Sequence, residues 1–209
     1  ARHIVDDCLD ASRLRPARRS RHRPRAKARP ASEEPPEEPR VTLELLRSLE
    51  WKRFEELVAM VFEVTGFATE LTRVGADGGV DISVFKPGDA KPTAVVQCKA
   101  WNKYVVGVKP VRELFGVMAA EGVGKGYFAA TGKYTEEARA FVEGKPIRLL
   151  TGEDIVERIG KLPGDKRRRL YERAVEGDYM TPSCPKCGRK LVRRVSRKGR
   201  SEGGEFWGC

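Results

Sequence analysis

A chain of 209 residues with a formal net charge of +11 has room for one ordinary domain and a small module, not for several domains. The charge sits in the flanks. Residues 1–40 hold eleven basic and seven acidic side chains, 41–180 hold twenty-two and twenty-one, and 181–209 hold eight and two. This pattern describes a near-neutral core with basic appendages suited to a polyanion, and no run approaches the roughly 18 apolar residues of a membrane span.

Five cysteines, Cys8, Cys98, Cys184, Cys187 and Cys209, make no disulfide framework. Three have metal-ligand spacing and two are isolated, which fits a reducing, intracellular setting. No signal peptide is visible. A start without Met and a stop at Cys209 fit a piece of a longer protein.

Residues 1–40 are expected to be disordered. Arginines dominate from Ser12 to Pro30, with Pro16, Pro24 and Pro30 between them, and Ala31 to Pro39 is rich in Glu and Pro. Little apolar area is available there to offset ordering entropy. The segment reads equally as a nonspecific phosphate contact or as a solvated linker.

Val41 to Thr65 reads as one helix, with Phe54, Leu57, Val58, Val61 and Phe62 as its apolar stripe. Glu55 lies at the edge of that stripe, where a carboxylate needs a metal ion, a cation such as Lys99 or a surface partner to offset its desolvation. Glu56 is expected to face solvent. Gly66 ends the helix, and Phe67 to Arg73 is a strand leading into Gly75-Ala-Asp-Gly-Gly79. Asp77 in that loop is a turn former or an additional polar ligand.

The next stretch organises the rest. Val80 to Phe85 and Ala94 to Trp101 read as two strands joined by a Pro- and Gly-containing connection. Period-two alternation sets Val80, Ile82 and Val84 on one face and Asp81 and Ser83 on the other; Val95, Gln97 and Lys99 share a face of the second strand. Pairing of the strands lets Asp81, Gln97 and Lys99 meet. An acid, an amide oxygen and a cation so placed suit metal-assisted phosphodiester hydrolysis.

Beyond it, Pro110 suits the first turn of a helix buried through Val111, Leu114, Phe115 and Met118. Gly126 to Thr131 is a short buried strand. Thr135 caps a helix through Val142, Ile147 to Leu150 is another strand, and Thr151 caps a helix through Ile159. The order predicts an α/β fold, a mixed central sheet with helices on its faces. Lys161 to Met180 reads as a helical linker, helical over Asp165 to Val175.

From Thr181, Cys184-Pro-Lys-Cys187-Gly is half of a zinc-binding knuckle and Cys209 a third ligand; a fourth is absent from the sequence. Leu191 and Val192 pair as ribbon strands with Phe206 and Trp207. A redox-active Cys-x-x-Cys would need a βαβ setting that this tail lacks. Phe206 and Trp207 read either as stacking surfaces for bases or as ribbon core.

The residues Trp51, Phe54-Glu55, Gly66-Phe67, Gly75-Ala-Asp-Gly-Gly-Val-Asp81, Gln97-Cys-Lys99, Val111-Arg-Glu-Leu-Phe-Gly116 and Thr131-Gly with Ala138 resemble the Mrr-type catalytic domain of restriction endonucleases, a branch of the PD-(D/E)xK nucleases. The resemblance spans about residues 44–160. The segment from Cys184 to Cys209 resembles the C-terminal zinc ribbon of bacterial type IA topoisomerases, which has four Cys ligands where this chain shows three. The division implied is 1–40 disordered, 41–160 nuclease, 161–180 linker and 181–209 incomplete ribbon.

The resemblance implies a restriction-endonuclease-like fold and a metal-dependent endonuclease acting on double-stranded DNA, restricting foreign or modified DNA in the bacterial cytoplasm. It assigns Asp81, Gln97 and Glu55 to Mg²⁺ or Mn²⁺, Lys99 to the attacking water and the developing charge, and Cys184, Cys187 and Cys209 to Zn²⁺. A Holliday-junction or repair-type nuclease and a decayed DNA-binding protein remain alternatives. Single-stranded or branched DNA and a homodimer are left open as partners.

Overall fold

The computed structural model describes residues 39–72, 79–100, 104–199 and 202–209. Most of the basic N-terminal segment with Cys8, the glycine loop with Asp77, and Trp101 lie outside the described residues. Chain order runs α1 (Leu43–Ser48), α2 (Trp51–Val64), β1 (Ala68–Leu71), β2 (Ile82–Phe85), β3 (Ala94–Lys99), α3 (Val108–Glu121), β4 (Gly126–Ala130), α4 (Glu136–Val142), β5 (Ile147–Leu150), α5 (Gly152–Gly160), α6 (Gly164–Ala174), β6 (Val192–Val195) and β7 (Glu205–Gly208).

The first five strands form one sheet in the order β1-β2-β3-β4-β5. The β1–β2 and β2–β3 pairs are antiparallel, and β3–β4 and β4–β5 are parallel. Both faces are covered, so every residue of β4 and all of β3 except Lys99 is buried. On one face Ile82, Val84, Ala94, Val96 and Cys98 pack with Phe54, Leu57, Val58 and Phe62 of α2. On the other, Val95, Phe128 and Ala130 pack with Val111, Leu114 and Met118 of α3 and Ala138 of α4. Gly126 is where α3 comes closest: a Cβ there would lie 2.4 Å from the Met118 sulfur. The expected mixed α/β sheet flanked by helices is therefore the observed architecture. No described helix is long and apolar enough to cross a membrane.

Capping follows local chemistry. Thr135 accepts from the Ala138 amide, and Thr151 forms a capping box with Asp154. Three expectations need correction. Val41 to Thr65 is not one helix. Leu49 and Glu50 are extended between α1 and α2, Thr42 caps the first, and the Glu50 carboxylate accepts from Lys52 N to cap the second. The break lets Leu46, Leu49 and Phe54 all reach the core. Val80 does not share a face with Ile82 and Val84; it lies before β2 and packs in the α3 layer, because the alternation begins only where the ladder does. Glu56 does not face solvent. Its side chain is 18 % exposed and pairs with Arg53 and with Arg173 of α6.

Residues 161–180 include α6, which buries Leu170 and Ala174 in the α2 layer. The ribbon β6–β7 is antiparallel, Arg193 opposite Trp207 and Arg194 opposite Phe206. It is tied to the domain through Glu50, whose side chain is only 3 % exposed. That carboxylate accepts from Ser183 N at 3.2 Å, Ser183 Oγ at 3.0 Å and Lys190 Nζ at 3.1 Å. The Trp51 indole donates to the Ser183 carbonyl at 2.9 Å.

Candidate active site

Parity and register place the candidate residues. Ile82 pairs with Val96 and Ser83 with Val95. Continuing this antiparallel register by one residue sets Asp81 opposite Gln97. Asp81 N donates to the Val96 carbonyl at 2.9 Å, so the ladder reaches that point. The Asp81 carboxylate accepts from Cys98 N at 2.6 Å, a short bond that fixes the plane of the acid against β3. Lys99 follows at the C-terminal end of β3, its carbonyl accepting from Thr131 N at 3.2 Å.

Gln97 is 5 % exposed, and its Oε1 has no hydrogen-bond partner among the described residues. Gly79 covers the amide. Its φ is +100°, and a Cβ there would lie 2.7 Å from Gln97 Nε2. Only a residue without a side chain admits both the backbone angle and the approach.

Glu55 arrives from α2. Its carboxyl is pushed up to about 8, first by burial and then by the Asp81 carboxylate, while Lys99 pulls it back. Asp81 is raised by burial, opposed by the Cys98 amide and by Lys99. Cys98, fully buried beneath them, is raised by burial and by Asp81 and Glu55. The structure thus brings Glu55, Asp81 and Lys99 into one electrostatic neighbourhood, with Gln97 across the ladder. Two desolvated carboxylates and an orphaned amide oxygen form a set of hard oxygen donors short of positive charge, and that set fits a divalent cation of the Mg²⁺ type.

Thr131 was legible only as a strand end and as part of the Thr131-Gly resemblance. It is fully buried beside Lys99, and its Oγ1 has no partner among the described residues. Tyr134, which no pattern singled out, donates its hydroxyl to the Phe128 and Leu150 carbonyls and so bridges the middle of β4 and the end of β5. Its buried, bonded phenol is raised above its ordinary range.

A second cluster lies in the ribbon. The sulfurs of Cys184, Cys187 and Cys209 fall within 4.8 Å of one another. The Cys187 and Cys209 sulfurs are 3.6 Å apart. The Cys187 and Lys186 amides lower the Cys184 thiol to about 7, whereas the neighbouring sulfurs raise Cys209 to about 11. Three converging sulfurs fit a thiolate-seeking metal such as zinc.

Comparison with known proteins bears on the first site. The family described as restriction endonuclease, Mrr_cat, matches residues 46–159. The type IV methyl-directed restriction enzyme EcoKMrr of Escherichia coli (strain K12) is 34 % identical over 122 residues, which make up 54 % of this chain and 39 % of that protein. The chain therefore spans well under half of that relative's length. Among solved structures, the DNA modification-dependent restriction endonuclease AspBHI is similar at 21 % identity and a TM-score of 0.43, over 62 % of this chain and 36 % of that one. MspJI restriction endonuclease in complex with a 27-mer oligonucleotide is similar at 20 % identity and a TM-score of 0.38, over 68 % and 34 %.

Proposed function

This chain belongs to the restriction endonuclease family with the Mrr catalytic domain, and from that premise we propose that it is a divalent-metal-dependent endonuclease hydrolysing phosphodiester bonds of foreign or modified double-stranded DNA in the bacterial cytoplasm. The observation that carries this reading is the buried Gln97 Oε1, which has no partner among the described residues, across the ladder from Asp81. A buried carbonyl oxygen left unpaired is costly unless a donor or a cation completes it.

In this reading Asp81, Gln97 and Glu55 hold Mg²⁺ or Mn²⁺. The metal, when bound, polarises the scissile phosphate and acidifies its water. Asp81 keeps one oxygen on the Cys98 amide, so its other oxygen is presented at a fixed angle. Gln97 adds a neutral oxygen. Glu55, whose carboxyl burial pushes up to about 8, would hold a proton near neutral pH and would serve as a ligand in its deprotonated form. The Lys99 ammonium orients the attacking water and stabilises the charge that builds on the phosphoryl oxygens. The Cys cluster holds Zn²⁺ and keeps the ribbon folded, and residues 41–160 and 181–209 act as nuclease and ribbon.

The test is cleavage of methylated and unmethylated plasmid DNA with Mg²⁺ and with chelator, comparing the wild type with Asp81→Ala. Metal-dependent nicking is expected, with a loss of about 10³-fold or more in the variant, the scale of removing an electrostatic stabiliser of the transition state. DNA binding without cleavage of any substrate would instead assign a non-enzymatic DNA-binding role.

A further inference from the structure

An arginine-rich surface lies apart from the candidate active-site residues, none of which line it. A groove of about 1000 Å³ runs between the start of the described chain, the end of α5 and the start of α6, lined by Arg40, Arg167, Arg168 and Arg169. Two carboxylates, Asp165 and Glu172, also line it. Helical spacing would let Asp165 pair with Arg169 and Arg168 with Glu172. Neither pair forms, and Arg168 and Arg169 make no hydrogen bond or ion pair with any described residue. Both are exposed. Arg167 is committed locally, donating to the Gly160 carbonyl at 3.3 Å.

The groove is separate from the site on β3. Helix α6 runs antiparallel to α2: Lys166, at its start, donates to the Val64 carbonyl, while Arg173, near its end, pairs with Glu56. The groove follows α6 from Gly164 to Glu172, and no residue of α2 or β3 lines it.

We propose that this groove is a second phosphate-binding site, which grips the DNA backbone away from the scissile phosphate. Planar guanidinium groups with unspent donors match phosphate oxygens in pairs. At about 1000 Å³ the groove has room for more than one phosphate. The inference rests on the reading of this chain as a DNA-acting protein, and it adds where the duplex is held beyond the reacting bond.

The test is the salt dependence of binding to a short duplex of random sequence, measured on the full chain without added divalent metal. Absence of cleavage then has no bearing on the result, and failure of the nuclease reading is scored separately by the plasmid assay. Each backbone phosphate neutralised contributes about 0.9 to the slope of log affinity against log salt. Arg168→Gln with Arg169→Gln is expected to lower that slope by about 1.8, and Arg169→Gln alone by about half as much. Both positions are exposed, so a thermal melt checks that the variants remain folded. A matched neutralisation on other elements, Lys91→Gln with Lys109→Gln, is expected to leave the slope unchanged. An unchanged slope in the arginine variant, or an equal fall in both pairs, overturns the proposal. If inorganic triphosphate raises the melting temperature of the wild type but not of the arginine variant, while the slope stays constant, the groove serves a free polyphosphate and the DNA assignment is overturned.

Discussion

The β2–β3 site and the C-terminal ribbon both gather potential metal ligands, but the scaffolds behind them differ. At the site, strands buried on both faces hold Asp81 and Gln97, and α2 delivers Glu55, so position comes from the core and the polar groups bear the desolvation. In the ribbon, every residue of β6 is exposed, and so are Phe206 and Trp207. Phe206, at 50 % exposure, is not ribbon core. Two four-residue strands without a buried face do not hold themselves together in water. The site's polar groups are positioned by a packed core; the ribbon has its ladder, its cysteine cluster and the Glu50 contacts in place of one. Glu50 joins the two regions.

The contrast can be broken most forcefully at the ribbon. Structural zinc contributes on the order of 10 kcal/mol to small folds of this kind. Cys184→Ser, or chelation, is expected to strip amide-exchange protection from residues 192–195 and 205–208 while β3 and β4 keep theirs. Loss of protection in both regions together would mean a single cooperative unit and no contrast.

Next in size is the joint. Glu50→Ala removes the acceptor from the buried Ser183 amide and hydroxyl and from Lys190. A loss of about 2–4 kcal/mol is expected, read as a lower denaturant midpoint, with the ribbon becoming protease-sensitive before the nuclease domain.

A smaller effect sharpens the site half of the comparison. Glu55 holds its proton in the folded state up to about pH 8, against an ordinary value of 4.5. Its folded value is raised, so its stabilising contribution is complete below about 4.5 and is lost as pH rises through about 8. Asp81 acts in the same direction. Mg²⁺ binding is therefore expected to release protons near neutral pH, and its affinity to climb by up to about tenfold per pH unit below the Glu55 value. Titration calorimetry in buffers of different ionisation enthalpy measures the release, and Glu55→Gln should reduce it. If Glu55→Gln leaves the release unchanged, Glu55 is not the ligand that gives up the proton.

The smallest expected change is Gly79→Ala. The positive φ and the contact with Gln97 predict a cost of about 1–2 kcal/mol and about a tenfold fall in metal affinity. Calorimetry measures the affinity, and a thermal melt the stability. An unaltered affinity would show that Gln97 is not held from the Gly79 side.

Much of the scaffold was legible because its signals are local. Thr135 and Thr151 announce their helices through the amides three residues on, and period-two alternation exposes β2 and the parity of Gln97 and Lys99. The break at Leu49 and Glu50 was not legible. Helical periodicity runs through it, and what holds Glu50 extended and buried includes Ser183, 133 residues away in the chain. Glu56 was misread for the same reason, since its partner Arg173 lies 117 residues on.

By itself the sequence determined which chemical groups could form a site and on which side of each strand they would stand, because residue type and alternation are properties of adjacent positions. Tertiary structure alone decided that Glu55 stands near Asp81, that Gln97 Oε1 has no partner among the described residues, and that one buried glutamate links the ribbon to α2. Desolvation and pairing depend on segments that meet only after folding, so no local pattern encodes them.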